Sequence, residues 1–86
     1  MIGKLKFTIR GKIKFQDRYV SRTVFKAIYP DIVRNEVRDV LVKLDLTDEI
    51  VYFEIQSSSY AKFRGALTSF LRLIRTTVEL IEEVRI

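Results

Sequence analysis

The chain of 86 residues contains no histidine and no cysteine. Those absences remove the most used general base, the thiol nucleophile and nearly every zinc site. Lys, Asp, Glu, Tyr, Ser and Thr remain, and their spacing pairs no nucleophile with a base. The acids are scattered singly, or sit on the solvent side of the C-terminal segment as Glu79, Glu82 and Glu83 do. The three glycines, Gly3, Gly11 and Gly65, are dispersed, so no loop can cradle a phosphate. The sequence therefore predicts no catalytic residue, no cofactor and no metal. What chemistry it offers is recognition.

Two patterns could serve recognition. In residues 59–84, the small residues Ala61, Gly65, Ser69 and Thr76 recur with Arg72 at helical spacing. A solvated helix face normally carries long Lys and Glu side chains. Small residues are either tolerated in water or admit a partner helix at close range. The second pattern is a row of cations, Lys4, Lys6, Arg10, Lys12 and Lys14, at alternate positions near the N-terminus. Cations on an edge strand discourage aggregation, and the same row could meet RNA phosphates or an acidic partner through Lys12 and Lys14.

The elements that position these residues are legible from period. Residues 4–15 alternate, with Leu5, Phe7, Ile9, Ile13 and Phe15 on one side and the cations and Thr8 on the other. Period two over that length predicts a strand with one buried face. Gly11 takes the sixth apolar-side position, which suggests a bulge or a close crossing over a helix. Residues 17–29 predict a helix capped by Asp17, with Val20, Val24, Ala27 and Ile28 facing the core. Pro30 is expected to end it, since a residue before proline is pushed out of the α region. Phe25 and Tyr29 lie off that core stripe, four residues apart, and are candidates for a protein interface.

Residues 31–36 read as a connection. Residues 37–46 alternate, with Val40, Val42, Leu44 and Leu46 opposed to Leu41, Lys43 and Asp45. A turn over residues 47–49 leads into a run with Val51, Phe53 and Ile55 inward, so the pair predicts a β-hairpin. Residues 59–84 predict the dominant element, a helix on the order of 40 Å long at 1.5 Å per residue. Its apolar stripe is Tyr60, Phe63, Leu67, Phe70, Ile74, Val78 and Ile81, and the serines before it can cap it. The fold class is α+β in the order β-α-β-β-α: a three-stranded antiparallel sheet with two helices packed on one face.

Totals narrow the class further. A chain of this length builds one core, so residues 1–86 are expected to form a single domain. Hydrophobic content of 48% beside charged content of 31% suits a compact soluble domain whose apolar surface does not all fit inside. No apolar run approaches the ~18 residues that a membrane span needs. The N-terminus shows no signal-peptide pattern, and the lack of cysteine agrees with a cytoplasmic location. The formal charge of +5 is uneven: residues 1–30 hold eight Lys/Arg and one acid, residues 31–86 eight Lys/Arg and ten acids. A basic first part suggests an acidic partner.

The last helix carries a resemblance. The stretch FRGALTSFLRLI resembles the signature of the small Pcc subunit of the KEOPS complex, which runs roughly LRAxxNSxLRxI. Phe63 stands for the first leucine, Arg64 matches, Gly65 takes the small position, and Ser69, Leu71 and Arg72 match. The stretch IYPDI, with Val24 and Phe25 before it, is similar to the family's IYxSLxPE. Thr68 stands where the family usually has asparagine; a hydroxyl replaces some of that amide's hydrogen bonds but not all. The departure also fits a diverged paralogue, which in archaea would pair with the first subunit.

What the resemblance implies is a non-catalytic bracket. The KEOPS complex makes threonylcarbamoyladenosine in tRNA, and a Kae-type transferase does the chemistry. A Pcc-like subunit dimerises, with itself or with a paralogue, and holds the transferase. The expected partner-binding residues are Phe25, Tyr29, Arg64, Gly65, Ser69 and Arg72, with Lys12 and Lys14 as possible RNA contacts within the complex. The apolar arc of the last helix, from Leu73 round to Leu71, is broader than one small sheet usually covers, so a homodimer is expected. A rival from another class is a free-standing basic nucleic-acid-binding module, but it lacks a GxxG loop and an aromatic pair on a strand. A domain binding a metabolite between subunits would need glycine-rich turns, which are absent.

Overall fold

A computed structural model of the chain describes residues 7–34 and 38–85. Its elements are β1 (Phe7–Lys14), α1 (Arg18–Arg34), β2 (Val40–Thr47), β3 (Ile50–Ser57) and α2 (Tyr60–Arg85). The order β-α-β-β-α and the antiparallel sheet under two helices are those that the hydrophobic periods required. The sheet order is β1-β3-β2, so β3 is central and both other strands are edges. Lys4, Leu5 and Lys6 of the expected first strand, and Val37 of the second, lie outside the described residues.

Register explains the two faces of the sheet. Ile9, Ile55 and Val42 align across the strands, as do Gly11, Phe53 and Leu44, and Ile13, Val51 and Leu46. Side chains alternate along each strand, so these rows face the helices together. Val51 and Ile55 are fully buried there, and Ile55 shares one core with Val20, Val24 and Ile28 of α1 and Phe70 and Ile74 of α2. The Phe53 and Phe70 rings meet at 4.7 Å between centroids. The alternate rows, Arg10–Glu54–Lys43 and Lys12–Tyr52–Asp45, face away from the helices.

Gly11 marks neither a bulge nor a helix crossing. The β1–β3 register runs through it without interruption, and what lies over it is the Phe53 ring of the neighbouring strand. The β2–β3 connection is tighter than expected: Thr47 pairs with Ile50, leaving Asp48 and Glu49 as a two-residue loop. Asp48 has φ 53°, the left-handed value that a primed hairpin turn needs at its first position.

Caps fall where the sequence placed them. The Asp17 carboxylate accepts from the Val20 N–H at 2.9 Å, and the Ser59 hydroxyl accepts from the Lys62 N–H at 3.3 Å. The end of α1 does not. The helix runs through Pro30 to Arg34, so residues 31–34 belong to it and not to a connection. A proline there forfeits one N–H bond to the carbonyl four residues back. Pro30 is exposed, where water can serve that carbonyl, and Ile32 packs against the core. Packing by Ile32 therefore carries the helix a further turn.

Two positions of α1 depart from the helical wheel. Ala27, expected inside, is exposed. Ser21 is fully buried in the arc between Val20 and Val24. Its hydroxyl reaches the Asp48 carbonyl at 2.6 Å and the Arg18 carbonyl at 3.1 Å, so it ties α1 to the hairpin loop. Among the described residues no buried side-chain polar atom lacks a partner.

Candidate docking surfaces

The long helix α2 presents its apolar stripe to the sheet and its small stripe to solvent. Phe70 and Ile74 are buried, while Phe63, Leu67, Val78 and Ile81 pack partly against the core. Tyr60 departs from the expected stripe: it is 60% exposed and meets Phe7 edge-on at 5.4 Å. Ala61, Gly65, Ser69, Arg72 and Thr76 are all exposed. A Cβ added at Gly65 would meet nothing within 4 Å. The small stripe is therefore no part of this chain's own packing.

Beside that stripe runs a groove of about 770 Å³. Gly65, Ala66, Ser69 and Leu73 of α2 form one wall, Ile32 and Val33 of α1 another, and Val40 and Leu41 of β2 the floor and edge. Val33 is 58% exposed and Leu41 39%, so apolar surface lies open here. Lys62 closes one end, its ammonium 3.3 Å from the Asp39 carboxylate and 3.3 Å from the Arg38 carbonyl. The groove exists because α1 continues past Pro30. With a helix ending at Tyr29, Ile32 and Val33 would not reach α2. Sequence reasoning missed Val33 and Leu41 for that reason.

The expected partner residues separate into two groups. Gly65 and Ser69 line the α2 groove, with Arg64 and Arg72 exposed on the same helix. Phe25 and Tyr29 stack on each other along α1 at 5.2 Å between centroids. Tyr29 lines an adjoining groove whose other walls come from all three strands, among them Gly11, Phe53, Val42 and Lys43, with Val33 of α1. Ile32, Val33 and Val42 border both grooves. The fold thus brings Tyr29 and the small stripe to neighbouring surfaces joined by the end of α1.

The basic row of β1 is not uniform. The Arg10 guanidinium hydrogen-bonds Glu54 on β3, Lys43 of β2 lies 3.8 Å from the same carboxylate, and Gln56 donates to it at 2.7 Å. The bond from Arg10 holds the Glu54 carboxyl below the usual carboxylate range, against an opposing push from burial. One anion so serves a cation on each side. Lys12 and Lys14 are exposed without an ion pair among the described residues. On α2, Glu79 pairs with Arg75 at 3.2 Å, as expected of a solvent face; the side chains of Glu82 and Glu83 lie outside the description.

Among the described residues no cluster of acids could hold a metal, and no helix is long and apolar enough to cross a membrane. These features define a small antiparallel α+β domain whose distinguishing surfaces are grooves and helix faces. A family model described as transcription factor Pcc1 matches residues 8–82, and the chain belongs to that family. This is the family of small KEOPS subunits to which the α2 signature pointed. A solved structure described as the crystal structure of the binary complex Gon7-Pcc1 shares the fold, with a TM-score of 0.81. It is 21% identical, and the match covers 94% of this chain and 99% of that one. No curated protein matches.

Proposed function

We propose that the chain is a non-catalytic dimerisation and docking subunit of a cytoplasmic KEOPS assembly, bridging the Kae-type transferase that makes threonylcarbamoyladenosine in tRNA. The observation that carries this reading is the exposed small-residue stripe of α2 beside an open apolar groove. An isolated domain gains nothing from a glycine in the middle of a long helix, because glycine weakens a helix interior by ~1 kcal/mol relative to alanine. A helix of a partner could approach the Gly65 and Ser69 backbone closely and seat its apolar side chains against Val33, Leu41 and Leu73. Arg64 and Arg72 would flank such a helix and offer charge-assisted hydrogen bonds to its acids or carbonyls. A second copy, or a paralogue, completes the subunit as a dimer, and Lys12 and Lys14 add a modest contact to tRNA.

The test is co-purification of the tagged chain with an untagged Kae-type transferase expressed beside it. Stoichiometric co-elution that survives nuclease treatment supports the reading. Co-elution of nucleic acid without protein would favour the free-standing nucleic-acid module.

A further inference from the structure

The sequence directs attention to the cations of β1, but the fold sets a second basic surface on the helical layer. Arg18, Arg22 and Lys26 follow one another at steps of four along α1, about 6 Å apart along the axis. All three are exposed. No acid interrupts α1 between Arg18 and Pro30. Asp48 takes Arg18 at 3.2 Å, while Arg22 and Lys26 have no ion pair among the described residues. Asp31 lies on the α2 side of the helix, in the groove described above.

Arg18 is balanced locally, by its pair with Asp48 and by the Asp17 cap beside it, so the unpaired charge of this face is that of Arg22 and Lys26. A further observation sets the face apart from an ordinary solvated one. Aromatics are interleaved with the cations: Phe25 and Tyr29 follow Arg22 and Lys26 by three residues each, within an arc of about 100°. They stack at 5.2 Å with an interplanar angle of 28°. Tyr29 is 45% exposed, and Tyr19 on the same side is 64% exposed.

We propose that this outer face of α1 binds a single-stranded segment of RNA, with Arg22 and Lys26 on successive phosphates and Tyr29 as a platform for an unstacked base. Cations that follow a backbone, joined to an aromatic face that accepts any base, are the elements of single-strand recognition. A duplex would offer the phosphates but no free base face to Tyr29. An acidic protein would meet the cations but has no use for an exposed ring. The choice of RNA rests on the function proposed above. The surface itself is distinct from the α2 stripe assigned to the transferase.

The experiment is fluorescence anisotropy of a labelled single-stranded U12 RNA titrated with the whole chain at 50 and 200 mM salt. A labelled RNA duplex of the same length and a labelled poly-glutamate are run beside it. Circular dichroism melting of each variant checks the fold. Arg22→Glu with Lys26→Glu should weaken U12 binding at least tenfold. It should also lower the salt slope by about 1.4, two phosphates at about 0.7 each for a single strand. Tyr29→Ala should weaken U12 binding at least fivefold and leave duplex binding within twofold. Arg38→Glu with Arg75→Glu, the same change of charge at exposed positions away from this face, should cost less than threefold. The proposal is overturned if U12 does not bind, if the α1 variants bind it like the parent chain, or if poly-glutamate binds as tightly. It is overturned equally if the α1 double variant loses transferase co-purification, since the face would then belong to the protein partner. Failure of the transferase reading alone would leave U12 binding and its loss on α1 unchanged.

Discussion

The Phe53 ring lies across Gly11 so closely that a Cβ on Gly11 would stand 2.5 Å from Phe53 Cζ and 2.8 Å from Cε1. The ring cannot simply swing aside, because its other contacts include Phe70, whose ring centroid is 4.7 Å away. The glycine is thus a matter of space, and φ there is ordinary. Gly11→Ala should destabilise the chain by about 1–3 kcal/mol, the usual cost of overpacking a core. For a chain of this size each kcal/mol lowers Tm by roughly 4–8 °C. Phe53→Leu in the same chain should recover part of the loss. Additive effects in that double variant would show that the two residues do not compete for one volume.

Glu54 gives the protein a predictable response to acid. Its carboxyl titrates below the usual range because Arg10 hydrogen-bonds the charged form. A carboxylate depressed in the folded state stabilises the fold above its unfolded value of about 4.3, and the contribution disappears as pH falls through the folded value. Melting temperatures at pH 7 and pH 3 should therefore differ more in the parent chain than in Glu54→Gln. Equal differences in the two proteins would mean that the Arg10–Glu54–Lys43 row has no energetic consequence.

Gly65 separates stability from docking. Gly65→Leu should leave the isolated chain as stable or raise its melting temperature, since open space surrounds the position and leucine is the better helix former by somewhat under 1 kcal/mol. Binding to the transferase should weaken by about 1–3 kcal/mol through overpacking. Arg72→Ala should weaken it by about 1.5–3 kcal/mol through loss of a charged hydrogen bond. Calorimetric titration with the transferase reads both. Unchanged affinity in Gly65→Leu would show that the α2 groove is not the partner site.

Self-association is the fourth expectation. Leu71 and Leu80 of α2 are about half exposed, and Tyr52 stands open on the sheet face that no helix covers. Sedimentation at micromolar concentration should give twice the 10.2 kDa chain mass. A species that stays monomeric as concentration rises would contradict the dimer.

The architecture was legible because each element advertises one period. Strict alternation in residues 7–14 and 40–47, and the threes and fours of α2, left few ways to bury three stripes at once. The loss at Pro30 has a physical cause. A local rule against proline was outweighed by Ile32, whose burial depends on a sheet that the sequence does not display. Ser21 escaped notice because a buried hydroxyl needs an acceptor, and the Asp48 carbonyl lies 27 residues away. Gly65 and Ser69 could be placed on an outward face from the helical wheel alone. Val33 and Leu41 could not, since their groove depends on where α1 ends. The charge of β1 was read one strand at a time, so the acid opposite Arg10 went unseen.

The central position of β3 also sets a timetable. The β2–β3 hairpin closes through two residues, whereas Phe7 must wait for Ser57. On a ribosome adding roughly 5–20 residues per second, β1 precedes its partner by several seconds. During that interval the apolar row of Phe7, Ile9 and Ile13 has no strand to pair with and no helix above it. Lys12 and Lys14, alternating with that row, put like charge on every emerging copy and keep such copies apart.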